Sequence, residues 1–226
     1  MRLAPEGIRE WGGASVLAAA VLVPLWLWCP LLWLNWILTG LIGGLWGFII
    51  QFFRDPGRRP AGDVCKEDFV SPADGVISAV LYVDHHEAVD AAAVVIRIFL
   101  NVFNVHVNRV PADATVRDAI YREGQFLDAR KAESAQVNES NLVRMTRSDG
   151  VVFGVRQVSG AIARRIVCQL AGGESLRRAQ RMGMIKFGST TELIIPDDGH
   201  VDVCVSVGER VLGGKTILAH VTMSGA

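Results

Sequence analysis

The sequence predicts a mainly β chain of the α+β class: a β-sandwich-like domain built from similar β-units, preceded by an N-terminal hydrophobic helical hairpin. Three observations carry that reading. No Asp, Glu, Lys, Arg or His occurs from residue 11 to residue 53, and all six tryptophans fall inside that stretch. From about residue 64 onward the chain breaks into short β-branched runs separated by turn formers. A Pro-led turn recurs ahead of three of those runs, as Pro72-Ala73-Asp74-Gly75-Val76, Pro196-Asp197-Asp198-Gly199-His200-Val201 and, more loosely, Pro111-Ala112-Asp113-Ala114-Thr115-Val116.

The hairpin comes first, over residues 1–53. A membrane span needs about 20 apolar residues, so the uncharged stretch holds two short spans. Cys29-Pro30 is the expected turn, because proline disfavours helical geometry in the residue before it. The stretch is too long, and its far flank too charged, for a cleaved signal peptide. Pro24 shortens the first half, which leaves a shallow re-entrant hairpin as the alternative to two passes. Tryptophan suits the headgroup interface, where its ring meets both apolar and polar neighbours. Arg54, Arg58 and Arg59 follow directly, and Arg2 and Arg9 stand at the other end, which places both ends on the cytoplasmic side. The arginines serve either as topology markers alone or also as attractors of anionic lipid.

The second region, 54–226, is the β-rich domain. Strands are expected at 76–83, 93–100, 151–158, 162–170, 192–195, 201–207 and 216–221. Residues 123–141 are polar with Ala and Glu and read as a loop or a short helix; 175–181 reads as a helical turn capped by Ser175. In the recurring turns Pro fixes φ, Asp bonds back to the chain and Gly takes a positive φ. Gly208-Glu209-Arg210-Val211-Leu212-Gly213-Gly214 reads as a tight turn between the last two strands, of a kind also found in biotinyl- and lipoyl-type β-sandwiches.

Composition excludes several classes. With 23 basic and 23 acidic residues, nothing marks a nucleic-acid binder. The four cysteines (Cys29, Cys65, Cys168, Cys204) are too scattered for a zinc site or a disulfide framework. His85-His86 has no partnered ligand spacing, so no metal is expected.

Four segments carry the chemistry. They are Phe53-Arg54-Asp55-Pro56, Ser71-Pro72-Ala73-Asp74-Gly75, the run from Phe99 through His106-Val107-Asn108-Arg109 to Pro111, and Gly183-Met184-Ile185-Lys186-Phe187-Gly188-Ser189. Each is weak alone. In this order, behind an apolar anchor, they closely resemble the phosphatidylserine decarboxylase family in its short bacterial and archaeal form, over residues 52–221. The resemblance implies a self-processing enzyme that cuts its own Gly188–Ser189 bond, leaving chains 1–188 and 189–226. Ser189, activated by a base, attacks the Gly188 carbonyl; elimination and hydrolysis then turn residue 189 into a pyruvoyl group, the covalent cofactor. That ketone forms a Schiff base with the serine amine of phosphatidylserine and takes up the electrons released with CO₂, yielding phosphatidylethanolamine.

The same resemblance selects His106 as the proton carrier among five histidines and Asp74 as the group that orients it. Asp74 has a competing reading as a plain turn former. The long bacterial form has a second histidine where this chain has Arg109. Arginine is a poor base, so either His106 serves both cleavage and decarboxylation or Ser189 loses its proton in another way, and Arg109 is read as a ligand for the substrate's phosphate or carboxylate. Arg164-Arg165 either reaches the headgroup or forms a solvated strand edge. The expected partners are phosphatidylserine, membrane lipid and a second copy of the chain, because open strand edges favour a homodimer. Expected localisation is the cell membrane, with the catalytic domain cytoplasmic. Two alternatives remain at this level. One is the same chemistry on archaetidylserine or a related serine lipid. The other is a membrane-tethered biotinyl- or lipoyl-like carrier, for which Lys186 and Lys215 are poorly placed.

Overall fold

A computed structural model describes residues 2–59, 64–128, 133–161, 165–186 and 189–222. It divides into two units, one ending at Gly57 and one beginning at Arg58.

The first unit is the hairpin. Helix α1 (Ile8–Trp28) and helix α2 (Leu32–Phe52) are each 21 residues long. At 1.5 Å per residue each is about 31 Å long, enough for a hydrocarbon core. Both are long and apolar enough to cross a membrane, with mean hydropathy 1.6 and 1.5 over their best windows. Pro24 lies inside α1 without ending it. The turn falls at Cys29-Pro30, where Asn35 Nδ2 donates to the Cys29 carbonyl. Trp26 Nε1 donates to Thr39 and Trp46 Nε1 to Ser15, so two indole N–H groups tie the helices together. The open end is clasped by a two-residue ladder, β1 (Arg2–Leu3) with β2 (Arg54–Asp55), so both ends of the hairpin emerge on one side.

The second unit is built from strands. In chain order they are β3 (Asp68–Val70), β4 (Gly75–His86), β5 (Ala91–Leu100), β6 (Val107–Arg109), β7 (Ala114–Arg122), β8 (Ser140–Arg147) and β9 (Val152–Ser159). Then follow β10 (Arg165–Val167), β11 (Ser175–Leu176), β12 (Arg181–Lys186), β13 (Ser189–Pro196), β14 (Val201–Val203), β15 (Arg210–Val211) and β16 (Ile217–Val221). One short helix, α3 (Ser134–Val137), precedes β8. A large antiparallel sheet runs β11-β7-β8-β9-β13-β5-β4-β15; two small ones run β10-β12-β6 and β14-β16-β3.

This order contains a duplication. Strands β6 to β12 form one unit; β3, β4, β5, β13, β14, β15 and β16 form its counterpart, with the first inserted between β5 and β13. In each, the first strand pairs with the seventh, the seventh with the fifth, and the second with the sixth. The Pro-led turns sit at equivalent points and bond reciprocally: Arg109 N–H donates to the Pro72 carbonyl and Val70 N–H to the Pro111 carbonyl. Asp74 Oδ1 accepts from Gly213 N–H as Asp113 Oδ1 accepts from Arg178 N–H. Gly214 (φ +72°) and Ala179 (φ +61°) hold matching left-handed positions. The repeat is therefore real for the Pro72 and Pro111 turns, the looser match in sequence; the closer match at Pro196 is not the equivalent turn, though a strand follows each of the three copies.

The core lies between the large sheet and the two small ones. It joins Ile96, Ile98, Val143, Met145, Val155, Leu193 and Ile195 of the large sheet to Phe69, Met182 and Leu218. Phe69 meets Phe153 edge to face at 4.9 Å.

Several expectations need correction. Ser175 caps no helix; Ser175–Leu176 is an edge strand on β7, because that edge of the large sheet offers unpaired backbone groups. Of the strand expected at 162–170, only Arg165–Val167 is a strand, and 162–164 lie outside the described residues. The strand expected at 201–207 stops at Val203. Strands β3, β6, β7, β8 and β12 lie outside the expected runs: β3 and β6 have three residues each, β7 and β8 are interrupted by charged and polar residues, and β12 contains Gly183.

On the outer face the β4–β5 hairpin tip folds back, and Ala88 packs with Leu142 and Ile194. His86 Nδ1 accepts from Ala88 N–H, which requires that nitrogen to be unprotonated. Burial pushes the His86 pKa below its ordinary 6.5, against the opposing pull of Glu192 and Glu87. A base with a depressed folded pKa contributes fully above its unfolded value and loses that contribution as pH falls below it. Between about pH 7.5 and about pH 5.5 the melting temperature should fall, and His86→Asn, whose Oδ1 still accepts, should show a smaller fall.

Candidate active site

The inner face of the large sheet changes character along its length. Phe153, Val155, Leu193 and Ile195 are apolar; farther along the same face come Gln157, Ser159, Thr191 and Ser189. Register places Ser189 opposite Ser159, and Thr191 opposite Gln157, on β13 and β9. All four are fully buried. A chain of amides satisfies most of this polar zone. Asn141 Nδ2 donates to Gln157 Oε1 (3.1 Å), Gln157 Nε2 to Asn108 Oδ1 (2.8 Å), and Asn108 Nδ2 to Thr191 Oγ1 (3.0 Å). The hydroxyls of Ser189 and Ser159 are different: among the described residues they are the buried hydroxyls with no partner. A stranded hydroxyl costs about 1–3 kcal/mol, so each needs a reason.

Ser189 is the first residue of β13. Gly188, the other side of the expected cleavage point, lies outside the described residues, as does Arg164. His106 precedes β6, and its carbonyl accepts from Ile185 N–H on β12, four residues ahead of Ser189. The ring is fully buried. Its Nδ1 lies 3.0 Å from the Asn104 carbonyl. A carbonyl only accepts, so Nδ1 carries the proton and Nε2 has the basic lone pair of the neutral ring. The Asn104 carbonyl thus holds the Nδ1 side of the ring in place.

Asp74 is buried in the turn before β4. Oδ1 accepts from Gly213 N–H at 2.8 Å, and Oδ2 meets Arg58 Nη2 at 2.5 Å. Arg58 was expected only as a membrane-flanking cation. Its side chain is 11% exposed and is committed to Asp74. Arg109 is also buried; Nη1 donates to the Ala179 carbonyl at 3.0 Å. A Cβ added to Gly214 would lie 3.0 Å from Arg109 Cδ and 3.3 Å from Arg58 Cβ, so one glycine separates two guanidinium stems beside one carboxylate. This corner is suited to an anion. The structure therefore groups Asp74, Arg58 and Arg109 around the Gly213-Gly214 turn, and seats His106 beside the strand that leads to Ser189.

A family model described as phosphatidylserine decarboxylase matches residues 45–219. The chain belongs to the phosphatidylserine decarboxylase family. The phosphatidylserine decarboxylase proenzyme of Paramagnetospirillum magneticum is 36% identical over 229 residues, covering 92% of this chain and 93% of that protein. The proenzyme of Gluconacetobacter diazotrophicus is 39% identical (92% and 88% covered), and that of Geotalea uraniireducens 42% (76% and 78%). Membership makes the chain a phosphatidylserine-decarboxylating lyase of phospholipid biosynthesis, made as a zymogen. The carrier alternative falls with that.

Sequence reasoning missed Arg58, Ser159 and the network of Asn108, Gln157, Asn141 and Thr191. The signal available was a polar residue at every second position of an otherwise core-facing strand, as in Gln157 and Ser159 after Val155. Asn108 holds the network together. Asn108→Ala strands Gln157 Nε2 and removes the donor to Thr191, so unfolding free energy should drop by about 1–3 kcal/mol for each stranded group, measured by denaturant titration.

Proposed function

We propose that this phosphatidylserine decarboxylase makes its own pyruvoyl group from Ser189 and works from the cytoplasmic surface of the membrane. The observation that carries the reading is the Ser189 hydroxyl, buried and without a hydrogen-bond partner at the first position of β13. A site meant to convert this side chain cannot bind it tightly in its starting form. The surrounding polar groups pair among themselves, which fits a residue whose chemistry changes while its neighbours stay.

In this reading His106 Nε2 takes the Ser189 hydroxyl proton as Oγ bonds to the Gly188 carbonyl carbon. The Gly188–Ser189 C–N bond breaks, the nitrogen gains a proton, and an ester joins the two segments. Loss of the Ser189 α-proton expels the Gly188 carboxylate and leaves dehydroalanine, whose hydrolysis releases ammonia. The ketone so formed supplies the electron sink that the decarboxylation needs. Arg109, with Arg58 and Asp74 beside it, holds the substrate's phosphate or carboxylate. Asp74 is the group that orients His106, and its carboxylate also holds Arg58 in place. His106 then delivers the proton that the substrate's α-carbon takes up when CO₂ leaves. The substrate is phosphatidylserine or a related serine lipid such as archaetidylserine, since serine and phosphate are the groups these residues recognise.

The hairpin supports membrane attachment: two 21-residue apolar helices join ends on one side. Arg54 and Arg59 next to that end support a cytoplasmic catalytic unit. A homodimer formed through an open edge such as β10 or β14 is the proposed assembly.

Intact-mass spectrometry of the purified protein should give two chains, the smaller being residues 189–226 without a free amine; Ser189→Ala should stay in one piece and be inactive. An uncut, unmodified chain in an active preparation would sink the proposal. For His106→Ala we expect loss of cleavage or of turnover, and full cleavage with normal turnover would remove His106 from the chemistry.

A further inference from the structure

The Ser159 hydroxyl has no role in the scheme above, and its place in the sheet gives it one. Ser159 ends β9 directly opposite Ser189, the first residue of β13. Side chains of directly opposed residues share one face, with Cβ atoms about 4.5–5.5 Å apart. Both hydroxyls are fully buried, and both lack a partner. The Ser159 backbone is fixed on both sides of the residue: its N–H donates to the Glu139 carbonyl (2.9 Å), and its carbonyl accepts from Asn138 Nδ2 (2.8 Å). The side chain thus has rotamer freedom on a rigid mount. The adjacent polar groups Gln157, Asn108 and Thr191 already bond one another.

We infer that Ser159 is a positioning residue for self-cleavage: its hydroxyl donates a hydrogen bond to Ser189 Oγ and so aims the Ser189 proton away from β9, toward the base, before attack on Gly188. One χ1 rotation at either residue brings two oxygens on carbons this close within hydrogen-bond reach. A hydroxyl has one proton and two lone pairs. With Ser159 as donor, one Ser189 lone pair is engaged, its own proton must point elsewhere, and the remaining lone pair is left for the carbonyl carbon. Neither hydroxyl is bonded in the ground state, which is consistent with a contact formed only as the reaction begins. Selection for stability alone would place alanine here, since a methyl group in this position strands nothing.

This inference rests on Ser189 being the nucleophile, and the experiment separates the two. Full-length wild type, Ser159→Ala, Ser159→Thr and Ser189→Ala are made by cell-free synthesis with lipid vesicles, and the fraction cleaved is followed by gel over time, with melting temperatures measured in parallel. Expected are slower cleavage in Ser159→Ala, by about ten-fold as for one lost hydrogen bond, a melting temperature equal to or above wild type, and recovery of rate in Ser159→Thr, which keeps the donor. A wild-type cleavage rate in Ser159→Ala, with Ser189→Ala uncut, overturns the role of Ser159 and leaves Ser189 standing. Cleavage of Ser189→Ala overturns the nucleophile itself. Slow cleavage in Ser159→Ala together with a lowered melting temperature and no recovery in Ser159→Thr means that Ser159 only supports the fold, and also overturns the inference.

Discussion

The pairing of β13 with β9 and β5 is the constraint on which the rest depends. β13 is the central strand of the large sheet, and all of it but Pro196 is buried. It is also the seam between the two repeats, each of which contributes its fourth strand to the β9–β13 ladder. A slip of one residue would turn Leu193 and Ile195 out of the core and Glu192 into it. Glu192 adds its own lock on the outer face, paired at 2.8 Å with Arg97 on β5 and 3.7 Å from Arg156 on β9. Removing either partner leaves a buried charge uncompensated, which is costly. Register and ion pairs together fix how β13 sits, starting from Ser189, its first described residue.

That fixed start explains how one face serves two purposes. Toward Ile195 the inner face is a dry core that stabilises the domain. Toward Ser189 it is a polar zone walled by the same strands and buried from solvent. The amide chain through Asn141, Gln157 and Asn108 lets polar side chains occupy core positions at little cost, because each donor has an acceptor. The two unpaired serine hydroxyls stand out against that background. They form a local violation of good packing chemistry, and such violations concentrate where function requires them.

The sequence made the apolar helical hairpin and the Val- and Ile-rich strands legible for physical reasons. A 43-residue run without charge admits few structures other than membrane helices, and β4, β5, β9 and β13 are rich in Val and Ile. The short strands were not legible. β11 and β15 have two residues each and exist because a sheet edge recruits them, a tertiary effect that no local pattern encodes. Ser175 therefore looked like a helix cap. Residues carried by motifs are named from the sequence, while Ser159 and Gln157 are not, since an isolated polar residue in a strand reads as solvent-facing until its neighbours are known. Arg58 was misread for the same reason: its partner, Asp74, is 16 residues away.

The duplication sharpens the question of Asp74. Its Oδ1 bond to Gly213 has a counterpart in Asp113 and Arg178, in a copy of the turn where Asp113 is exposed. That half of the carboxylate is therefore a structural inheritance shared by both repeats. What the second repeat lacks is burial of the aspartate; the first adds to it the Arg58 ion pair and a nearby Arg109 stem across Gly214. Gly214 itself differs from its counterpart Ala179, and a Cβ there would crowd Ala179 Cβ as well as the Arg109 and Arg58 stems. Two repeats with one backbone plan have thus diverged at the turn, one kept as a solvent-facing corner and the other closed around a buried charge cluster.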